Sequence, residues 1–182
     1  MTNPLAIAGV SSDRLDLVPL SQEVMEALLH GGSRAAQPMV SFTIPPHWPA
    51  EIESTLRFRL DIARAHPQAL PLLFRAMVLR SEPHVTVGRI GFHGPVDPTG
   101  MLEIGYEVFA PYRRQGYARE AVLAMFRWAQ RDRAVLRFRA AVSPQNLASR
   151  SLVAGLGFVE VGSQWDEQDG EETLFERAAG QI

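Results

Sequence analysis

Residues Met101 to Ala129 read MLEIGYEVFAPYRRQGYAREAVLAMFRWA. Within this stretch the apolar side chains change from every second residue to every third or fourth, which marks a strand running into an amphipathic helix. On the strand, Leu102, Ile104, Tyr106 and Val108 share one face, and Glu103, Gly105, Glu107 and Phe109 the other. On the helix, Ala118, Ala121, Val122, Met125, Phe126 and Ala129 lie together. Two arginines precede Gly116 at the junction and a third follows it. A helix N-terminus already carries about half a positive elementary charge, so cations there cost a few tenths of a kcal/mol unless an anion compensates. Gly116 permits backbone angles that let successive N–H groups converge on that anion. A solvated arginine cluster partly neutralised by Glu120 is the competing reading.

The elements on either side alternate. Downstream come a strand from Val135, a helix from Asn146 to about Leu156, a strand from Gly157 and a last strand, ETLFERA. Upstream, Leu15 and Leu17 alternate with polar neighbours in a first strand, and Ser21 caps a helix with the face Val24, Met25, Leu28 and Leu29. The IPPHWP run from Ile44 interrupts regular structure. A second helix follows with the stripe Ile52, Leu56, Leu60 and Ala63, with Arg57, Arg59 and Arg64 off it and Pro67 closing it. Strands begin near Leu72, His84 and Met101, the last two joined by the turn-rich HGPVDPTG. The fold class is therefore α/β or α+β: a single central mixed β-sheet of about seven strands flanked on both faces by about four helices.

With 182 residues, 46% hydrophobic and 21% charged, the chain is expected to form one soluble domain over residues 1–182. A net charge of -2 gives no general attraction to nucleic acid, so any anion site is local. The N-terminal residues and the absence of a long apolar run predict a cytoplasmic protein with no membrane partner. The chain has no cysteine, which excludes disulfides, thiolate zinc sites and a cysteine-borne covalent intermediate. The five histidines show no metal-binding spacing, so no metal is expected. Neither a Walker loop nor the dinucleotide fingerprint is present. Trp48 and Trp165 fall in irregular segments and suit either a pocket or the core, and DEQDGEE from Asp166 reads as an acidic hairpin. The oligomeric state is left open, a homodimer being one option.

Glu103 and Glu107 flank Gly105, where a side-chain-free residue lets another molecule approach the strand; a solvated strand face is the alternative. RRQGYA resembles the [R/Q]-x-x-G-x-[G/A] signature of the GNAT superfamily of N-acetyltransferases, and NLASRSLVAGLGF, from Asn146 to Phe158, resembles its next helix and strand. GFHGPVDPTGMLEIGYEV and SSDRLDLVPL look like the branch related to ribosomal-protein N-terminal acetyltransferases. The resemblance implies acetyl-CoA as co-substrate, held at its pyrophosphate by the backbone of the turn formed by Arg113, Arg114, Gln115, Gly116, Tyr117, Ala118 and Arg119. It implies a backbone N–H at Val108 or Phe109 as donor to the thioester carbonyl, and Asn146 as a contact for the pantetheine arm. Glu103 matches the general-base position, with Glu107 in reserve. The family's tyrosine, seven positions after the asparagine, is here Val153, and Ser149 is the alternative for the leaving thiolate. Ser149 reads equally as a helix-face hydroxyl, and Asn146 as an N-cap. The implied activity is acetyl transfer to a primary amine, either a protein N-terminal α-amine or a small-molecule amine. A non-catalytic acyl-CoA-binding module is the alternative.

Overall fold

A computed structural model describes residues 9–81, 83–131, 134–167 and 170–180. The alternating segments assemble into one sheet of eight strands, in the order β1-β2-β3-β4-β5-β6-β8-β7. These are β1 (Val10–Ser11), β2 (Leu15–Pro19), β3 (Arg75–Leu79), β4 (Thr86–Phe92), β5 (Met101–Val108), β6 (Arg137–Val142), β7 (Val159–Asp166) and β8 (Gly170–Ala178). The helices are α1 (Gln22–Ala36), α2 (Trp48–Glu51), α3 (Glu53–Ala65), α4 (Leu70–Leu73), α5 (Tyr117–Ala129) and α6 (Leu147–Gly155). Pairing is antiparallel except between β5 and β6. The mixed sheet with helices on both faces is the one expected. The additions are β1, α2 and α4, each too short for a periodic pattern to declare it. Leu72 and Leu73, expected in a strand, close α4, and β3 begins at Arg75.

Two apolar clusters hold the layers. One packs α5 and residues of α6 onto the sheet, with Phe126 stacked on Phe138 at a centroid distance of 3.9 Å. Burying each such side chain contributes roughly 1.5–3 kcal/mol, so the stack fixes the helix that follows the turn against the strand beyond it. The other gathers α1, α2 and α3 around Trp48, Phe74 and Phe109. Ser21 caps α1, its side chain accepting from the Val24 N–H at 3.3 Å. On α3 the spacing brings Arg59 inward beside Leu56, Leu60 and Ala63. Arg57 and Arg64 remain exposed in ion pairs with Glu53 and with Glu26 and Asp61. Positions 56, 59, 60 and 63 are one continuous i, i+3, i+4, i+7 stripe, so Arg59 was misplaced by sequence reading that followed only its apolar members.

Candidate functional site

The central feature is a parting of strands. β5 and β6 pair at Met101 with Arg137, Leu102 with Phe138 and Glu103 with Arg139, and not beyond. On the β4 side, the Phe109 N–H donates to the Val87 carbonyl at 2.9 Å and the His93 N–H to the Glu103 carbonyl at 2.8 Å. Antiparallel pairs alternate in the direction their groups point, so the backbones of Tyr106 and Val108 face the gap that opens toward β6. The Phe109 N–H is thus already used, and its side chain packs edge-on to Trp48 at 6.0 Å in the core. Of Val108 and Phe109, it is the Val108 N–H that faces the gap.

A cavity of about 880 Å³ lies on the α5 side and one of about 470 Å³ on the α3 side. Arg89, Tyr106, Asn146 and Ser149 line both, so the two cavities meet where β5 and β6 part. The larger is lined by Val108 and by Arg113, Arg114, Gly116, Tyr117, Ala118 and Arg119 of the turn. Gly116 caps α5 at φ 83°, ψ 1°, and Arg114 is also left-handed at φ 63°. A Cβ at Gly116 would meet nothing closer than an Arg14 nitrogen at 3.4 Å, so backbone angle and not space demands the glycine. No backbone N–H from Arg114 to Arg119 donates to a backbone carbonyl. Those donors, with the helix dipole, form a cradle for an anion.

Two arginines shape this turn from behind. Arg113 Nε donates to the Val108 carbonyl at 2.8 Å, tying the turn to the end of β5. Arg14, on the approach to β2, donates through Nη1 to the Gln115 carbonyl at 3.0 Å and lies 4.5 Å over the Tyr117 ring. Glu120 receives Ser12 Oγ at 2.6 Å, the Arg14 N–H at 2.8 Å and Arg14 Nε at 2.7 Å. Burial pushes the Glu120 carboxyl up, but these hydrogen bonds and the Arg14 charge hold it below its usual value. Glu120 therefore serves Arg14 and does not neutralise the arginines of the turn. Sequence reading missed Arg14 because its partners lie more than a hundred positions away.

On the α3 side, cross-strand pairing sets a ladder of facing side chains. Glu107 accepts from Arg89 Nε at 2.8 Å, and Arg89 Nη1 reaches Thr55 Oγ1 at 3.1 Å. Two same-face steps along, past Gly91 and Gly105, His93 Nδ1 lies 3.1 Å from Glu103 Oε1. The space over Gly105 is taken by the same ring, since a Cβ there would come within 2.6 Å of His93 Nε2. The glycine makes room for the His93 ring, and both residues line the smaller cavity. Burial raises the Glu103 carboxyl, yet the His93 hydrogen bond and the charges of His93, Arg139 and Arg59 bring it below its usual value. It is His93 that lines the smaller cavity, with Glu103 behind it. In the neutral ring that donates from Nδ1 to Glu103, Nε2 carries the lone pair.

At the junction, the Asn146 side chain caps α6 by accepting the Ser149 N–H at 3.1 Å while also lining both cavities. The Ser149 hydroxyl lies beside Tyr106 Oη, outside good hydrogen-bond geometry. Tyr106 Oη is buried without a partner, and burial pushes its pKa up. Val153 is buried in the core. Tyr106 thus supplies the phenol at the junction that position 153 does not. Its place on the apolar strand face had concealed it: the preceding Leu102 and Ile104 point into core, but Tyr106 lies past the last β5–β6 pair.

Trp48 is buried in the second cluster, and Trp165 stands 77% exposed on β7. In the acidic hairpin Gln168 and Asp169 lie outside the described residues. Among the described residues no group of His, Asp and Glu is arranged to hold a metal, and no helix is long and apolar enough to cross a membrane.

Comparison with known proteins agrees with this layout. The family model described as Acetyltransferase (GNAT) domain matches residues 14–159. The uncharacterized N-acetyltransferase YjdG of Bacillus subtilis is 34% identical over 83 residues, 46% of this chain and 49% of that protein. The chain spans about half the length of the curated relatives it matches. The fold is that of the ribosomal-protein-S5-alanine acetyltransferase of Vibrio fischeri, with a TM-score of 0.64 at 18% identity, covering 96% of this chain and 98% of that one. It is equally that of Mycobacterium smegmatis RimJ, solved with CoA-disulfide, with a TM-score of 0.63 at 19% identity, covering 97% and 90%.

Proposed function

The chain belongs to the GNAT acetyltransferase family, and on that premise we propose that it is an acetyl-CoA-dependent N-acetyltransferase acting on a primary amine. The amine is either a protein N-terminal α-amine or a small-molecule amine. The observation that carries this reading is the pair of cavities joined through the gap between β5 and β6. The larger suits acetyl-CoA: the N–H groups from Arg114 to Arg119 fit its pyrophosphate, and the Tyr106 backbone, unpaired on the β6 side, fits the amide-bearing arm. The smaller would admit the amine from the opposite side. Acetyl-CoA supplies the activated acyl group, a thioester carbonyl open to attack.

The residues have distinct tasks. His93 Nε2, oriented through Nδ1 by Glu103, takes the proton that the amine nitrogen loses as it bonds to the carbonyl carbon. The Val108 N–H stabilises the carbonyl oxygen as negative charge gathers there. Tyr106, kept protonated by burial, gives its proton to the sulfur as the carbon–sulfur bond breaks and is reprotonated from solvent. The products are an N-acetyl amine and CoA thiol. With no cysteine in the chain, the acetyl group passes directly between substrates.

Calorimetric titration of acetyl-CoA followed by a thiol-release assay across an amine panel tests the proposal. Binding and turnover of at least one amine are expected; binding without turnover of any acceptor would identify a non-catalytic acyl-CoA-binding module. In Tyr106→Phe, single-turnover thiol release should slow about a hundredfold with CoA affinity retained. An unchanged rate would pass the acid role to Ser149 or water.

A further inference from the structure

Arg59 has no part in the tasks above, and its surroundings are unusual for a cation. It is 5% exposed on the sheet-facing side of α3, and its Nε and Nη1 are buried with no hydrogen-bond partner. It lines the smaller cavity. The charges that reach it are those of Arg89 and Glu103. Arg89 is satisfied by Glu107 at 2.8 Å, and Glu103 is engaged by His93 at 3.1 Å. Burial, reinforced by Arg89 and opposed by Glu103, lowers the guanidinium's pKa to about 10, so it remains charged at neutral pH. A buried charge without a hydrogen-bonded counterpart is strongly unfavourable, and an anion brought by a ligand removes that penalty.

The opposite wall has the opposite sign: Asp166 of β7 and Glu172 of β8 line the same cavity. Glu172 accepts from Gln164 at 2.9 Å. The cavity therefore carries both signs, with a guanidinium contributed by α3 and carboxylates by β7 and β8. It suits a small molecule carrying both an amine and an anionic group. We propose that the acceptor is a small amino-carboxylate whose carboxylate is held by the Arg59 guanidinium while its amine lies toward His93 and Tyr106. The inference rests on the acetyltransferase reading above. A monoanion matches the single guanidinium whose charge is not offset by an ion pair in this cavity, and the planar fork of N–H donors fits a carboxylate through two hydrogen bonds.

The test compares kcat/KM for pairs that differ only in the carboxylate: glycine with glycinamide, and β-alanine with its amide. Aminoethyl phosphate and C-terminally amidated tripeptides with uncharged side chains complete the panel. The acid of each pair should be favoured about a hundredfold or more, because its absence leaves the buried guanidinium unmatched. Arg59→Met should lower that ratio toward one, and Arg59→Lys should keep part of it; circular dichroism and CoA affinity check the fold of each variant. Calorimetry with CoA present, and the Arg59 Nε–H resonance of the wild type during titration with β-alanine, read binding independently of turnover. Equal kcat/KM for acid and amide, a preference unchanged in Arg59→Met, or a preference for the phosphate or the uncharged peptides would overturn the assignment. Turnover of amines with no carboxylate preference would do so while leaving the acetyltransferase reading intact. Carboxylate binding that is lost in Arg59→Met, with no amine turned over, would keep the subsite and remove the enzyme reading.

Discussion

The two cavities share Arg89, Tyr106, Asn146 and Ser149 and differ in what builds the rest of them. The α5-side cavity includes a short turn whose backbone N–H groups are free of backbone carbonyls and whose conformation depends on a left-handed Gly116. The α3-side cavity is made by side chains that arrive from α3, β4, β5 and the β7–β8 hairpin. Recognition by backbone asks for particular dihedral angles and so leaves a compact local pattern. Recognition by side chains asks for chemical groups at points in space, and its sequence trace is scattered. A cofactor shared by many proteins suits the first kind of site, and a substrate peculiar to one protein suits the second.

Substitutions can separate the two sides. The largest effect is expected for Gly116→Val, because a β-branched residue at positive φ is strained by roughly 1–3 kcal/mol, and relief of that strain turns the N–H groups away. CoA affinity should fall about a hundredfold or more by calorimetry while the circular dichroism spectrum is kept. Unchanged affinity would show that the turn does not bind the phosphates, and the contrast between the cavities would collapse. Next is Glu103→Gln, which acts on the α3 side. Turnover should drop by about ten- to a hundredfold with CoA affinity unaltered.

The pH dependence of the wild type sharpens this second case. The folded-state pKa of Glu103 lies below its unfolded value near 4.3. Its contribution to stability is therefore present above that value and lost as pH falls through the folded one. Melting temperatures of wild type and Glu103→Gln should accordingly converge in acid. A base limb of kcat lying below the ordinary glutamate value near 4.3 would make Glu103 itself the base, since its folded-state pKa is lowered. The smallest effect is expected for Arg14→Ala. Its pair with Glu120 is half exposed on the arginine side, and such pairs are worth about 0.2–1 kcal/mol. Loss of the Gln115 contact should nevertheless weaken CoA binding a few fold, about three- to tenfold, with acceptor KM unmoved. Equal loss on both sides would mean that Arg14 holds the whole fold and not the turn.

How far each part could be read in advance follows from the same distinction. The strand, turn and helix from Met101 to Ala129 were plain because periodicity and a positive-φ glycine are local properties. Asn146 was readable as a cap for the same reason. His93 escaped notice because its role depends on facing Glu103 across the β4–β5 pair, a matter of register. Tyr106 was placed only on a strand face, because alternation reveals a face but not where the neighbouring strand departs. Arg59 sat on a helical stripe that looked complete without it. Each concerns a side chain whose surroundings are set by how elements pack or pair, which periodicity within one element does not show.

The central claim is that the cofactor and the acceptor occupy opposite sides of the sheet and meet where β5 and β6 part. A crystal structure with a bisubstrate analogue, CoA joined through its sulfur and an acetyl bridge to β-alanine, tests it most directly. The account predicts the pyrophosphate on the N–H groups from Arg114 to Arg119, the bridge beside Val108 and Tyr106, and the carboxylate on Arg59. An analogue lying wholly on the α5 side, or with its pyrophosphate away from the turn, would contradict it.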